Sequence, residues 1–373
     1  MDYRILGRTG LNVSEIGLGT EYLVGQPRPA VVDVIRAAVD QGVNYIDLVF
    51  SFPDYLDNLS VALQGRREQV ILTGHLGSTA RNGQYAKSRS PKKSEPFFLD
   101  LLARLGTDYV DVLFLHNCDT QKDYDQLTKP AAQLELARRL QIEGKARFIG
   151  FSGHTVSTAL QAIKSGVVDV LMFPINLAAN AVPGKKELLQ SCVSHNVGLV
   201  AMKPYAGGKL LNKQRTVRMA RYQMGGQALE LKKTTPITPV QCLAYVLSQV
   251  GVSTTVPGCA SLEQLAATLA YGQATAEARD FSVLVADFAQ YVVGECVYCN
   301  HCLPCPAQID IGRTIRLLDM AQQPLSVALQ AAYAALPAKA SACEDCGVCT
   351  ERCPFGVDVT GRMRQTVALF EGL

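Results

Sequence analysis

The sequence predicts an α/β protein in which a (β/α)8 TIM barrel is followed by a small α-helical domain that binds metal through cysteines. Two observations support this fold class. Eight short apolar runs alternate with helical segments over about 270 residues, which is the spacing of eight strand–helix units. Beyond that point the composition changes, because eight of the twelve cysteines fall between positions 296 and 353.

The bulk composition is that of a globular protein. The chain has 373 residues, 48% hydrophobic and 18% charged, which is enough for one large and one small domain. A net charge of +3 is too small to indicate a nucleic-acid or membrane partner. The N-terminus lacks an apolar signal core, and no apolar run approaches the about 20 residues that cross a bilayer. We therefore expect a cytoplasmic protein.

The predicted barrel strands are continuous runs rich in Val, Ile and Leu, as expected for strands buried on both faces. They span residues 13–18, 43–47, 70–74, 109–116, 146–151, 168–174, 198–203 and 253–257. Segments with a 3.6-residue apolar period predict helices at 29–41, 95–105, 127–143, 156–165, 185–195, 238–249 and 262–271. A doubly wound open sheet is the alternative, but no G-x-G-x-x-G follows the first strand.

These segments place the barrel at residues 1–272, a linker helix at 273–293 and the cysteine-rich domain at 294–373. Within the last domain, residues 311–338 and 359–373 have helical patterns. Two barrel loops, 76–94 and 210–236, are long and basic, and both would lie on the catalytic face because they follow strands. Such loops would suit an anionic substrate or an acidic partner, although a solvated surface explains them equally well.

The cysteines form two groups with the spacing of iron–sulfur proteins. The second group has three cysteines at intervals of three and a fourth before a proline: Cys343, Cys346, Cys349 and Cys353. Bacterial two-cluster ferredoxins have this run, and their fourth cysteine ligates the other cluster. The first group is one residue short before its last member: Cys296, Cys299, Cys302 and Cys305.

The ferredoxin crossover predicts two 4Fe–4S clusters with mixed ligand sets. One cluster would bind Cys296, Cys299, Cys302 and Cys353, and the other would bind Cys343, Cys346, Cys349 and Cys305. Zinc, which takes four thiolates in two pairs, fits these runs less well. Disulfides would need an oxidising compartment, for which the sequence gives no sign. The clusters predict single-electron exchange with an electron-transfer protein or a small-molecule reductant.

Polar side chains follow the predicted barrel strands at their carboxyl ends, where barrel enzymes place their chemistry. They are Asp47, His75, His116, Ser152, His154, Asn176 and Lys203. Three of the five histidines thus fall on one rim. A single histidine would more often be structural, but three at strand ends predict a functional site.

These segments resemble the aldo-keto reductase family, and within it the branch with a C-terminal ferredoxin-like domain. The similar residues extend over nearly the whole chain, at 3–14, 17–20, 42–47, 108–116, 145–154, 201–209 and 256–258. The resemblance implies NAD(P)H-dependent reduction of carbonyls at the barrel mouth. It also implies a catalytic Asp, a Tyr acid, a Lys that lowers the pKa of the Tyr, and a His. Asp47 and His116 match two of these.

The sequence departs from that pattern at the other two positions. Phe52 stands where the family has the tyrosine, so the usual acid is absent, and His75 stands in place of the lysine. Tyr55 could supply a hydroxyl from a different place. His75 could itself act as an acid or base near neutral pH.

The cofactor-binding residues that the family implies are also reduced. Ser152 remains from the nicotinamide site, but its expected neighbours are replaced by Gly153, Met172 and Met202. Gly207 and Gly208 keep a loop whose backbone N–H groups could bind a phosphate. That loop would suit a flavin or a phosphorylated substrate as well as NAD(P)H.

We therefore predict an iron–sulfur oxidoreductase that moves electrons between a partner, two clusters and a substrate or second cofactor in the barrel. His75 and His116 would exchange protons, Asp47 would orient one of them, and Lys203 would stabilise negative charge. Three alternatives stay open. They are an NAD(P)H-dependent carbonyl reductase with an altered proton donor, a divalent-metal enzyme that uses Asp47, His75 and His116, and a non-catalytic electron-transfer subunit.

Overall fold

The computed structural model of the protein describes residues 1–211, 237–285, 294, 296–321 and 325–372. The chain divides into two compact units. The first comprises Met1–Thr79 and Lys87–Tyr291, and the second comprises Ala80–Ala86 and Val292–Leu373. This division differs from the domain boundaries expected from the sequence, because a short segment within the predicted barrel belongs to the second unit.

Twelve strands occur in the described residues. In chain order they are β1 (Tyr3–Ile5), β2 (Asn12–Ser14), β3 (Leu18–Gly19), β4 (Tyr45–Leu48), β5 (Ile71–Leu76), β6 (Ser78–Arg81), β7 (Gln84–Lys87), β8 (Val110–Leu115), β9 (Ala146–Ser152), β10 (Val170–Pro174), β11 (Gly198–Met202) and β12 (Val252–Val256). Eight of them form one sheet in the order β3-β4-β5-β8-β9-β10-β11-β12, with parallel neighbours. This is the predicted barrel.

The barrel closes between its first and last strands. Ile16 and Thr255 form a parallel bridge, and Gly19 and Gly258 form another. The N–H of Gly17 donates to the carbonyl of Thr255 at 2.8 Å. With the ring closed, no edge strand of the main sheet is left unpaired.

The N-terminal segment forms an antiparallel hairpin from β1 and β2, with Arg4 opposite Val13. The predicted first strand, 13–18, is therefore wrong in part, because Val13 and Ser14 pair in this hairpin and the chain joins the barrel only from Ile16 onward. The hairpin covers the amino-terminal end of the barrel strands. Leu6 lies against Gly198, the first residue of β11, and is buried in one apolar cluster with Val13 and the barrel residue Phe114.

Helices of the first unit follow most strands. They are α1 (Arg28–Asp40), α2 (Pro53–Leu63), α3 (Pro91–Leu105), α4 (Gln121–Thr128), α5 (Gln133–Ile142), α6 (Val156–Lys164), α7 (Lys185–Ser194), α8 (Pro239–Leu247), α9 (Leu262–Leu269), α10 (Ala276–Arg279) and α11 (Ser282–Val285). Among the described residues, no helix combines the length and apolar character needed to cross a bilayer.

The helices of this unit differ from the sequence-based prediction in three places. The helix expected at 127–143 is split into α4 and α5, since Pro130 cannot continue a helix and Ala131 has a φ of 58°. The linker helix expected at 273–293 begins as two short helices, and its last residues lie outside the described chain. Helix α2 was not predicted, although proline at its first position is a helix-start signal. Most of loop 210–236 also lies outside the described residues.

The second unit contains four described helices: α12 (Ile311–Met320), α13 (Val327–Ala334), α14 (Val348–Arg352) and α15 (Val359–Phe370). The predicted helix at 311–338 is thus interrupted, and residues 322–324 lie outside the described chain. Side chains of Ile315 and Met363 are buried, and the rings of Tyr333 and Phe370 stack with centroids 4.4 Å apart. These contacts form a small core.

Gly150 in β9 provides a test of the barrel packing. An added Cβ would lie 2.3 Å from Cδ1 of Phe114 and 3.0 Å from Cγ1 of Val112. We expect Gly150→Ala to lower the free energy of unfolding by about 1–3 kcal/mol, because a packed core accepts an extra methyl group only with strain. Urea unfolding measures this. Gly272→Ala is the control, since nothing lies within 4 Å of its Cβ position, and equal midpoints for the two variants would contradict the packing described here.

Candidate active site

Neighbouring barrel strands bring Asp47, His75 and His116 together. Asp47 lies in β4 opposite Thr73 of β5, and His75 lies in β5 opposite Phe114 of β8. His116 directly follows β8, and its N–H donates to the carbonyl of Leu76 at 3.1 Å. Because the strands are parallel, all three side chains lie at the carboxyl end of the barrel.

The three side chains form a hydrogen-bonded chain. Asp47 Oδ1 lies 2.9 Å from His75 Nε2, and it also accepts a hydrogen bond from the hydroxyl of Thr73 at 2.6 Å. The Nδ1 atoms of His75 and His116 are 3.0 Å apart. A carboxylate only accepts, so His75 Nε2 carries a proton. One proton is then shared between the two Nδ1 atoms.

His116 is almost fully buried, with 1% of its surface exposed. Burial lowers the pKa of its imidazole well below the ordinary value, and the nearby His75, Arg89 and Lys87 lower it further. Arg89 also donates to the His116 carbonyl at 2.6 Å and is held by Asp123 at 3.0 Å. His116 is therefore neutral at physiological pH, and Arg89 fixes its backbone.

A second hydrogen-bonded group supports the backbone of Asp47. The hydroxyl of Thr20 donates to the Asp47 carbonyl at 2.6 Å and is bonded to the hydroxyl of Tyr55. Burial raises the pKa of Tyr55 above its ordinary value, and although the Thr20 hydrogen bond opposes this, the charges of Asp47 and Glu21 add to it. Tyr55 thus stays protonated near Asp47. Phe52 caps the start of α2 and is half-buried.

Glu21 and Lys203 lie within electrostatic reach of Asp47 and of each other. Burial raises the pKa of Glu21; Lys203 opposes the shift and Asp47 adds to it. Glu21 directly follows Thr20, after β3, and the sequence reasoning missed it because the first strand was placed too early. The same rule of strand ends would have found it.

Lys203 directly follows β11 in a left-handed conformation, with a φ of 58°. Its ammonium lies 3.9 Å from the sulfur of Met202, and within the described chain it forms no salt bridge. The side chain of Asn176 donates to the Lys203 carbonyl at 2.9 Å. The lysine is therefore anchored by its backbone and has a charge available to a ligand.

Asp119 and His154 form a second buried pair near the site. His154 Nδ1 lies 3.1 Å from Asp119 Oδ2, and the His154 N–H donates to Asp119 Oδ1 at 2.5 Å. Burial opposes ionisation of Asp119, but His154 lowers its pKa overall through charge and hydrogen bonds. Burial lowers the pKa of His154, and the nearby Lys203 and Lys87 act in the same direction, against the effect of Asp119.

The predicted cofactor residues are less well placed. Ser152 ends β9 and is buried, and its carbonyl accepts from the N–H of Cys118 at 2.9 Å. Gly207 and Gly208 adopt left-handed conformations with φ of 71° and 89°. The N–H of Gly208 already donates to the carbonyl of Tyr205 at 2.9 Å, so it is not available to a phosphate in this conformation.

In the second unit, cysteines from both groups lie close together. Burial raises the pKa of Cys302 well above its ordinary value, and the thiols of Cys299, Cys296, Cys353 and Cys349 raise it further. Three of these four neighbours complete the first predicted ligand set. The twelve cysteines are free thiols, so the described residues form no disulfide.

The second cysteine group shows the same clustering. Burial raises the pKa of Cys349, backbone hydrogen bonds oppose the shift, and the thiols of Cys343 and Cys346 add to it. Asp345 and Gly347, with φ of 51° and 74°, turn the chain sharply between the cysteines. Cysteine thiols that lie this close together can bind a metal as thiolates.

Comparison with known proteins identifies the first unit. A family model described as "Aldo/keto reductase family" matches residues 15–286. The uncharacterized oxidoreductase YqkF of Bacillus subtilis is 25% identical over 282 residues, which cover 71% of this chain and 89% of that protein. The NADH-specific methylglyoxal reductase of Escherichia coli is 26% identical over 228 residues, 55% of this chain and 68% of the relative.

Another relative and a solved structure agree with this match. L-galactose dehydrogenase of Arabidopsis thaliana is 30% identical over 228 residues, covering 56% of this chain and 67% of the relative. The holo form of the aldo-keto reductase AKR11C1 from Bacillus halodurans superposes with a TM-score of 0.63 at 23% identity. It covers 79% of this chain and 98% of that chain, a likeness that shows the shared fold.

The buried neutral His116 makes stability depend on pH. In the unfolded chain this imidazole binds a proton near its ordinary pKa of about 6.5, whereas the folded protein keeps it neutral. Below that pH the unfolded state holds more protons, so stability falls as the pH falls. Between about pH 6 and pH 5, His116 should contribute about 1.4 kcal/mol per pH unit to the fall in the free energy of unfolding. We expect His116→Gln to remove this contribution. Urea unfolding over a pH series tests this, and equal slopes would show that folded His116 is charged.

Proposed function

Because the chain belongs to the aldo/keto reductase family, we propose that it interconverts a carbonyl and an alcohol at the barrel mouth, with His116 as the proton donor. The observation that supports this is the chain of hydrogen bonds from Asp47 through His75 to His116. The sequence-based prediction of an enzyme whose iron–sulfur clusters feed the barrel has less support. The named relatives are an uncharacterized oxidoreductase, a dehydrogenase and an NADH-specific reductase.

The hydrogen-bonded chain can deliver one proton without leaving a charge on His116. In the reactive state His75 holds the extra proton beside the Asp47 carboxylate and donates Nδ1–H to His116. His116 gives its Nε2 proton to the substrate oxygen as that oxygen becomes negative, and it takes the Nδ1 proton of His75. His75 ends neutral and still bonded to Asp47, and solvent restores the lost proton.

A nicotinamide dinucleotide would supply the hydride when bound, and the described residues fit one in part. The hydroxyl of Ser152 would hold the carboxamide, and the thioether of Met202 would pack against the ring. Gly153 and the buried Met172 offer no polar side-chain contact for the carboxamide. The nicotinamide carboxamide would therefore have fewer polar contacts than the family pattern implies. For a flavin, no contact in the described chain gives separate support.

The charges at the mouth suit a small substrate with a negative group. Lys203 has no carboxylate partner in the described chain, so its ammonium can stabilise an oxyanion or a carboxylate. Burial raises the pKa of Glu21 against the opposing charge of Lys203, which makes a second negative charge beside Asp47 less favourable. We therefore propose an anionic aldehyde or ketone as the substrate class.

A divalent-metal enzyme is disfavoured by the same geometry. Both ring nitrogens of His75 are engaged, Nε2 with Asp47 at 2.9 Å and Nδ1 with His116 at 3.0 Å. A metal ion would need one of these nitrogens and would break the chain. The three residues therefore fit proton transfer better than metal binding.

His116→Ala tests the proposed proton donor. We expect the kcat for reduction of L-glyceraldehyde 3-phosphate, an anionic aldehyde, with NADH or NADPH to fall by about 10²- to 10⁴-fold, since general acid catalysis contributes on that order. Steady-state kinetics under anaerobic conditions measures this. His195→Ala, at the exposed end of α7, is the matched control and should retain full activity. A His116→Ala enzyme with more than half of the wild-type kcat would exclude the role.

For the second unit we propose two 4Fe–4S clusters with the mixed ligand sets predicted from the sequence. The proximity of Cys302 to Cys353, which is 51 positions along the chain, supports the crossover. Bound clusters would exchange single electrons with a protein partner or a small-molecule reductant. This proposal is independent of the hydride chemistry in the barrel.

Iron analysis after anaerobic purification tests the clusters. We expect about eight iron and eight sulfide per chain in the wild type, and about half of each in Cys349→Ser, because one ligand set would be incomplete. Cys192→Ser changes a buried cysteine of the barrel and should keep the wild-type count. Wild-type protein without iron after reconstitution, or Cys349→Ser with a full count, would overturn the proposal.

A further inference from the structure

The second unit contains a short segment that lies far from the cysteine-rich region in the sequence. Ala80–Ala86 belong to this unit, although in sequence they begin five residues after His75. They form the tip of the hairpin of β6 and β7, which turns at Asn82 and Gly83 with φ of 52° and 75°. Asn-Gly is the residue pair that tight hairpin turns with two positive φ values favour.

The hairpin tip contacts the loop that carries Cys305. The side-chain oxygen of Gln84 accepts a hydrogen bond from the N–H of Cys305 at 3.0 Å. The side-chain amide of Gln84 lies 3.5 Å from the carbonyl of Ile309, to which it can donate. The neighbouring Tyr85 is 2% exposed, and its ring centroid lies 6.2 Å from that of His301.

A second contact holds the same loop from within the cysteine groups. Arg352, the residue before Cys353, donates to the carbonyl of Pro304 at 3.0 Å. The backbone of the loop is therefore fixed on both sides of the Pro304–Cys305 peptide bond. One contact comes from the cysteine-rich sequence and the other comes from the hairpin.

Cys305 is the cysteine whose position local spacing determines least. Its group is one residue shorter than the ferredoxin run. Its proposed partners, Cys343, Cys346 and Cys349, come from the other group. A ligand in this situation depends on outside hydrogen bonds for its orientation, and such partners commonly change metal affinity by 10- to 100-fold.

We propose that Gln84 positions Cys305 as a cluster ligand, which makes the hairpin tip a structural part of the iron–sulfur site. This inference depends on the proposed binding of clusters. Gln84 would not contact the cluster itself, because its hydrogen bond goes to the N–H of Cys305. The cysteine-rich sequence alone is therefore an incomplete binding unit.

The experiment uses the full chain, reconstituted anaerobically, with Gln84→Ala, Gln84→Glu and Arg81→Ala. Arg81 is an exposed residue of the same hairpin and is the matched control. Release of iron to a chelator is followed by absorbance, and the potential of each cluster by electron paramagnetic resonance during redox titration. We expect Gln84→Ala to release the iron of one cluster about 10- to 100-fold faster than Arg81→Ala.

Gln84→Glu tests whether Gln84 acts on a cluster through Cys305 or only stabilises the hairpin. It keeps an oxygen that can accept from the N–H of Cys305 but loses the donor to the carbonyl of Ile309, so its iron release should stay slower than that of Gln84→Ala, while the added negative charge lowers the potential of one cluster. Equal release from Gln84→Ala and Arg81→Ala, in protein that holds its full iron, would overturn this inference alone. A wild-type chain that binds no iron would overturn both this inference and the cluster proposal.

Discussion

The 3.0 Å contact between the Nδ1 atoms of His75 and His116 is the interaction on which the candidate active site depends. Two ring nitrogens can share a hydrogen bond only when one is protonated and the other is not, so the two histidines act as a pair. The parallel register of β5 and β8 brings them together, and Asp47 on β4 fixes the outer nitrogen of His75. The family resemblance implies a tyrosine and a lysine beside this histidine; in this chain Phe52 and His75 stand at those two positions.

Much of this arrangement could be predicted from the sequence, because the carboxyl ends of neighbouring parallel strands must meet. That rule predicts that Asp47, His75 and His116 lie together, as they do in the structure. It failed for Glu21, since the apolar run 13–18 contains both the end of the hairpin strand β2 and the start of β3. Apolar periodicity cannot show where a chain changes from one sheet to another. The position of Arg89 depends on a loop contact with Asp123 that no periodic pattern reports.

In the second unit, too, the sequence predicts features that depend on neighbouring residues, but not contacts between segments far apart in the chain. Cysteine spacing is local, and the ligand sets that it predicts remain a prediction, although thiols from both cysteine groups do lie near Cys302. Helical periodicity predicted one helix at 311–338, where the structure has α12 and α13. The contact of Gln84 with Cys305 joins residues 221 positions apart. Nothing in either segment alone indicates the other, so only the folded chain reveals it.

That separation has a consequence for synthesis of the protein. Ribosomes add about 5–20 residues per second, so Gln84 is made roughly 10–45 s before Cys305. During that interval the hairpin tip, including the buried Tyr85, lacks the chain segment that will cover it. The hairpin tip therefore completes its contacts with Cys305 and His301 only after the last fifth of the chain has been translated.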